Sequence, residues 1–272
     1  MRGLENPVVL KLSRGGKVLF SASNSGDPHA VTRWIYDVET GAVRDTPDAL
    51  AVNDTGTTVG IRAAGKDSSG ACDDIEVFLE APDRIRRGLG NPLHGRYGTL
   101  ACFNRTHDVY LLDEQGRPVV RWGSESNVWD TFRWNGKEWD QLPPVGTFIE
   151  GITAVDDRGD LVGGGGSSQG GIAQHGALWR DGTLVEIGTL GGDVSFARGI
   201  NDAGQVVGSA SATPGPSNEL PFLWSGGVVR ALALPPEHTA GEATAISDDG
   251  DIGGFAFAPG GLPASVPMLW VD

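Results

Sequence analysis

An all-β fold of six four-stranded blades is predicted by three observations. Glycine supplies 42 of 272 residues, about twice its ordinary share of ~7%. Because the chain is still 39% hydrophobic, that excess marks many turns between short strands. A turn motif recurs six times along the chain, and a large aromatic residue follows each turn.

The clearest copy of the unit is Ser195–Ser209. It reads as a strand over Ala197–Ile200, a turn at Asn201, Asp202, Ala203 and Gly204, and a second strand over Gln205–Ser209. Asn and Asp bond their own backbone, and Gly204 can take the positive φ that closes a hairpin through a bulge. Copies are anchored at Ser13, Asn53, Asn104, Asp156, Asn201 and Ser247, with steps of 40, 51, 52, 45 and 46 residues. A period in the forties is that of propeller blades. The aromatic landmarks are Trp34, Phe78, Trp134, Trp179, Trp224 and Trp270. Hairpin signals such as Asn135-Gly136 and Asp181-Gly182 follow them and lead into another short apolar strand.

Each period therefore holds an inner strand, a second strand, the aromatic strand and an outer strand. Six periods predict one β-propeller domain over residues 1–272. The aromatic residues are assigned to packing between blades. The last period ends at Trp270 without an outer strand, and the N-terminal segment Arg2–Glu5 is expected to supply it and close the ring.

Charge and cysteine usage narrow the function. A formal net charge of −14 argues against nucleic acid or an anionic membrane as partner, since both reward clustered Lys and Arg. No apolar run approaches the ~20 residues of a membrane-spanning helix, and the N-terminus lacks a secretory h-region. The expectation is a soluble cytoplasmic protein. Cys72 and Cys102 are too few for a disulfide framework and read as two free thiols, with one bridge between them as the alternative, and no His or Cys spacing suits a metal. No metal or cofactor is expected. The acidic turns at Asp156 and Asp248 lack the alternating ligands of a calcium loop. Gly163–Gly171 lacks the lysine and helix of a phosphate loop.

The copies Ile200–Gly208 and Gly188-Thr-Leu-Gly-Gly192, with His175-Gly-Ala-Leu-Trp179 upstream, resemble the HAF repeat family, named for a His-Ala-Phe tripeptide near a Leu-Trp. The match runs from about residue 145 to the end. The resemblance implies a propeller and carries no catalytic residues. The family is often labelled extracellular, which departs from the cytoplasmic expectation.

Chemistry is expected where the pattern breaks. Long loops between second and aromatic strands (Ser21–Ala30, Ala63–Asp74 and Gly164–His175 among them) should share one face. Near the inner strands, small or apolar positions are replaced by Glu150, Glu242, Arg198, Lys11 and Asp48. Glu150 and Glu242 are candidates for acid or base, and Arg198 and Lys11 for holding an anionic group. Asp48, Thr153, Thr244, Trp129 and His175 complete the candidate site as binding residues, Trp129 by stacking. Salt bridges across a water-filled channel would account for the same charges. The leading expectation is a small-molecule site at the long-loop mouth, with acid/base chemistry of the lyase, cyclase or hydrolase kind. The alternative is a non-catalytic scaffold that presents one face to a protein or glycan.

Overall fold

The structure is a computed structural model, and it describes residues 4–13, 15–24, 27–66, 73–92, 107–123, 129–146, 148–166, 174–214, 219–259 and 265–271. Those residues contain 23 strands and no helix. The chain divides into two compact units, Met1–Gln141 and Leu142–Asp272.

The first unit holds three four-stranded antiparallel sheets. The first sheet comprises β1 (Leu4–Leu12), β2 (Lys17–Asn24), β3 (Asp27–Asp37) and β4 (Val43–Asp45). The second comprises β5 (Ala49–Val52), β6 (Thr58–Lys66), β7 (Asp73–Glu80) and β8 (Arg86–Gly90). The third comprises β9 (His107–Leu112), β10 (Pro118–Gly123), β11 (Trp129–Trp134) and β12 (Trp139–Gln141).

In the second unit, the fourth sheet is β13 (Phe148–Val155), β14 (Leu161–Gly166), β15 (Gln174–Arg180) and β16 (Thr183–Glu186). The fifth is β17 (Ser195–Ile200), β18 (Val206–Ser211), β19 (Glu219–Ser225) and β20 (Val228–Ala231). The sixth has three strands among the described residues, β21 (Ala240–Ile246), β22 (Ile252–Phe257) and β23 (Ser265–Trp270). Every sheet is built from one contiguous stretch of chain in sequence order.

One turn geometry recurs in all six sheets. The anchor residue donates its N–H to the carbonyl four residues on and accepts from the N–H three residues on, as in Asn201 N to Gln205 O at 3.1 Å and Gly204 N to Asn201 O at 2.8 Å. Its side chain also accepts the N–H of the fourth residue, through Ser13, Asn53, Asp113, Asp156, Asn201 and Ser247. A short polar side chain at the anchor and a glycine three residues on are what this geometry needs; Gly204 stands at φ +74°.

The third anchor is Asp113, not Asn104. The turn is Asp113-Glu114-Gln115-Gly116, with Gly116 at φ +72°. His107, expected in that turn, instead opens β9, and Asn104 lies outside the described residues. Two further expectations change. The segment Ser21–Ala30 is mostly strand, since β2 and β3 pair out to Asn24 and Asp27. Leu4 and Glu5, expected to complete the last sheet, pair instead with Asn24 and Ser23 of the first sheet. A register irregularity between Glu5 and Val8 lets Pro7, which has no N–H, be carried within that ladder. Arg2, Cys72, Cys102 and His94 lie outside the described residues.

The aromatic landmarks sit in the third strand of each sheet. Phe78, Trp134, Trp179 and Trp224 are buried, in agreement with packing. Trp179 also donates its indole N–H to Pro143 O at 2.8 Å, and Trp270 does the same to Ala233 O at 2.7 Å. Each indole thereby ties down the connector that leads into its own sheet.

Candidate functional site

Every inner strand carries a β-bulge at the same place. The ladders skip one residue between Val9 and Lys11, Ala49 and Ala51, Ile152 and Ala154, Ala197 and Gly199, and Ala243 and Ala245. In the third sheet the skipped residue is Tyr110, since Val120 faces Val109 and Val119 faces Leu111. A bulge bends its strand and re-aims a side chain. The residues so placed are Leu10, Leu50 and Tyr110 in the first unit, and Thr153, Arg198 and Thr244 in the second. Of the charged pattern breaks noted in the sequence, Arg198 stands at this repeated bulge, and the candidate binding residues Thr153 and Thr244 occupy the equivalent place in their own strands. Along β17 this is plain: Arg198 is exposed while Ala197 and Gly199 on either side are buried.

The bulge also explains the glycine that ends the repeat. The inner strand pushes a carbonyl toward the second strand, so a Cβ on Gly163 would lie 2.1 Å from Gly151 O, and one on Gly254 2.1 Å from Glu242 O.

In the second unit two of the bulged residues, Thr153 and Arg198, line a cleft of about 210 Å³ together with Gly151, Gly163, Gly164, Phe196 and Ala197. Its floor is backbone, because three of its residues are glycine. Thr153 spans it, with Oγ1 2.9 Å from Ala197 O and 3.2 Å from Val162 O. The Arg198 guanidinium carbon stands 5.5 Å from the centroid of the Phe196 ring, a cation–π arrangement. Its Nε donates to Glu242 Oε1 on the next inner strand. Nη1 and Nη2 of Arg198 have no other hydrogen bond among the described residues. The Arg198 side chain is 41% exposed and that of Glu242 26%.

The structure thus brings Arg198 and Thr153 to one cleft and pairs Arg198 with Glu242, which stands on the next inner strand and does not line the cleft. Thr244 occupies the equivalent bulge of β21, with Oγ1 3.3 Å from Gly253 O. Glu150 is skipped in the pairing of β13, between Ile149 and Gly151; its side chain, like that of Trp129, lies outside the described residues. His175 sits on β15 with Nδ1 3.3 Å from Glu186 Oε2 on the neighbouring outer strand. Asp48 belongs to the turn before β5 and not to an inner strand. It pairs with Arg86 at 2.9 Å, and Arg86 also holds the buried Glu80 at 2.6 Å. That network ties the turn to an outer strand, away from the residues that line the cleft. Lys11 lies in the first unit beside the bulge of β1, partly buried, and burial lowers its pKa.

Phe196 was missed as a site residue. The signal was present: it is the one aromatic among the residues four positions ahead of each turn's apolar neighbour. Among the described residues no group of three His, Cys, Asp or Glu side chains suits a metal ion, and no helix is long and apolar enough to cross a membrane.

No family model matches the sequence, and no curated protein matches it. Solved structures do resemble it. The β-propeller domain of the Trilobed protease from Pyrococcus furiosus, described as having an open velcro topology, aligns with a TM-score of 0.59 at 12% identity, covering 98% of this chain and 80% of that one. An acylaminoacyl peptidase from Pyrococcus horikoshii aligns at 0.54 and 14% identity, over 99% of this chain but only 44% of the peptidase. An uncharacterized protein from Listeria monocytogenes aligns at 0.52 and 11% identity, over 94% and 75%. At such identities the likeness speaks to architecture alone. Together with the four-stranded antiparallel sheets, it shows that the chain has a β-propeller fold.

Proposed function

We propose that this chain is a ligand-binding β-propeller whose site is the cleft between the inner strands β13 and β17. The observation that carries this is the arrangement of Arg198. The repeated bulge exposes it, Phe196 and Glu242 hold it, and its Nη groups remain free to donate among the described residues. A preorganised donor over a glycine floor is a recognition element. Acid/base catalysis is the weaker reading, because Glu242 is engaged by Arg198. The small volume suits a compact ligand, below the ~300–1,000 Å³ of drug-sized sites.

The finer architecture belongs to the same proposal. Six copies of one hydrogen-bonded turn support six blades, and His175–Trp179 within β15 supports kinship with HAF-repeat proteins.

The test is a screen of a mixed small-molecule library by backbone amide NMR on the full chain. Shifts clustering on Gly151, Thr153, Gly163, Gly164 and Ala197 are expected. A library that moves none of them overturns the binding assignment.

A further inference from the structure

We propose that the cleft recognises a neutral polyhydroxyl ring, a single sugar residue, and not an anion. The inference rests on the binding assignment above and names its ligand class.

Charge decides first. Arg198 and Glu242 form a pair with no net charge, in a chain whose formal charge is −14. An incoming anion would meet a cation already compensated, inside a repulsive long-range field. Phosphate sites are made by successive free backbone donors, whereas the two glycines of β14 at this cleft are ladder residues. Gly163 and Gly164 lie in the central strand β14 and are paired on both sides, with Ile152 and Gly151 on one and Ala177 and Gly176 on the other.

Donor and acceptor geometry decides next. The pair presents guanidinium N–H donors beside a carboxylate acceptor. A sugar hydroxyl donates and accepts at once, so a hydroxyl in the cleft can accept from Arg198 Nη, and a neighbouring one that extends past Arg198 can donate to Glu242, its partner outside the cleft lining. Charge-assisted hydrogen bonds of this kind are stronger than neutral ones. Phe196 lines the same cleft and offers an apolar surface to the C–H face of a ring. Thr153 adds a hydroxyl oxygen to the lining, 2.9 Å from Ala197 O.

A free monosaccharide and the terminal residue of a glycan carry the same chemistry. The experiment therefore titrates the full chain with neutral methyl glycosides, with oligosaccharides ending in the same sugars, with small carboxylates and with inorganic phosphate. Amide shifts at Gly163 and Gly164 and nuclear Overhauser contacts to the Phe196 ring are recorded. Expected are contacts from at least one neutral glycoside, weakened about tenfold by Arg198→Lys, which keeps the charge and loses the fork. Glu242→Gln, acting on Arg198 and on the ligand, should weaken it as well without altering the melting temperature. Tighter binding of the oligosaccharide would identify a glycan end as the source; equal binding would identify the free sugar. Carboxylate or phosphate shifts at the cleft without glycoside shifts overturn this inference and leave the binding assignment standing. No shifts from any of the four classes overturn both. Glycoside binding that is unchanged in Arg198→Lys overturns the assignment of the recognising group.

Discussion

The carbonyl oxygen of Phe196 occupies the space beside Gly208: a Cβ placed on Gly208 would lie 1.8 Å from that oxygen. The contact is a direct consequence of the bulge at Arg198, so the glycine of the second strand and the site residue of the inner strand are coupled through backbone. Gly208→Ala is expected to destabilise the fold by about 1–3 kcal/mol, since the backbone must shift to relieve the overlap. Gly253, one residue before the equivalent Gly254, has nothing within 4 Å of its would-be Cβ, and Gly253→Ala should be close to neutral. Chemical denaturation of the two variants checks the contrast. Equal losses would show that the bulge does not set the requirement.

Asn201 is fully buried and uses both ends of its amide. Its oxygen accepts from Gln205 N at 3.0 Å, and its Nδ2 donates to Ser247 O at 3.0 Å, which joins the fifth sheet to the sixth. Asn201→Ala leaves buried partners unsatisfied and is expected to cost about 1–3 kcal/mol. Asn201→Asp keeps the acceptor and loses the donor, so its loss should be smaller at the turn and persist at the junction. Hydrogen exchange at Gln205, read against that of β21, separates the two contributions.

Asp37 titrates well below its ordinary range, lowered from 3.8 to about 2. The leading cause is the hydrogen bond from Lys17 Nζ at 2.7 Å, followed by the N–H of Thr40 at 3.1 Å. A folded-state pKa below the unfolded one gives stability that is present above about 3.8 and disappears as pH falls through about 2. Carboxyl NMR should find the Asp37 midpoint near 2, and Lys17→Met should move it upward while the Thr40 contact keeps part of the shift. A midpoint unchanged by Lys17→Met would remove the ion pair as the cause.

How much of this was legible in the sequence varies by feature. The Asn201–Gly204 turn was, because its side-chain chemistry is local and each residue has one job. The third copy was misplaced for the same reason. Asn104 offered the polar anchor, but the glycine that the positive φ requires stands at Gly116. Arg198 was legible only as a break in pattern. What aims it, the bulge, is a property of ladder register, and register depends on which carbonyl meets which N–H across two strands. The Asp48–Arg86 pair was hidden because its partner lies 38 residues away on an outer strand whose spacing is irregular. The long-loop face was overestimated at Ser21–Ala30, where polar residues of a strongly paired hairpin were taken for a loop.

Turns are joined to one another, in most cases by their second residues; in the first turn the third residue, Gly15, makes the joint. Asp157 N donates to the Asp202 carboxylate at 2.9 Å, and Asp202 N donates to that of Asp248 at 2.8 Å. In the first unit Gly15 N donates to Asp54, and Asp54 N to Glu114. Asp54 and Asp202 each carry both halves of such a joint, a backbone donor for the following copy and a carboxylate for the preceding one. A gene segment encoding one repeat could be duplicated or spliced within a unit without inventing a new seam, because these four junctions share one self-compatible design. Copy number in such an array can drift by whole units, while the interior of each unit stays free to diverge toward a different ligand.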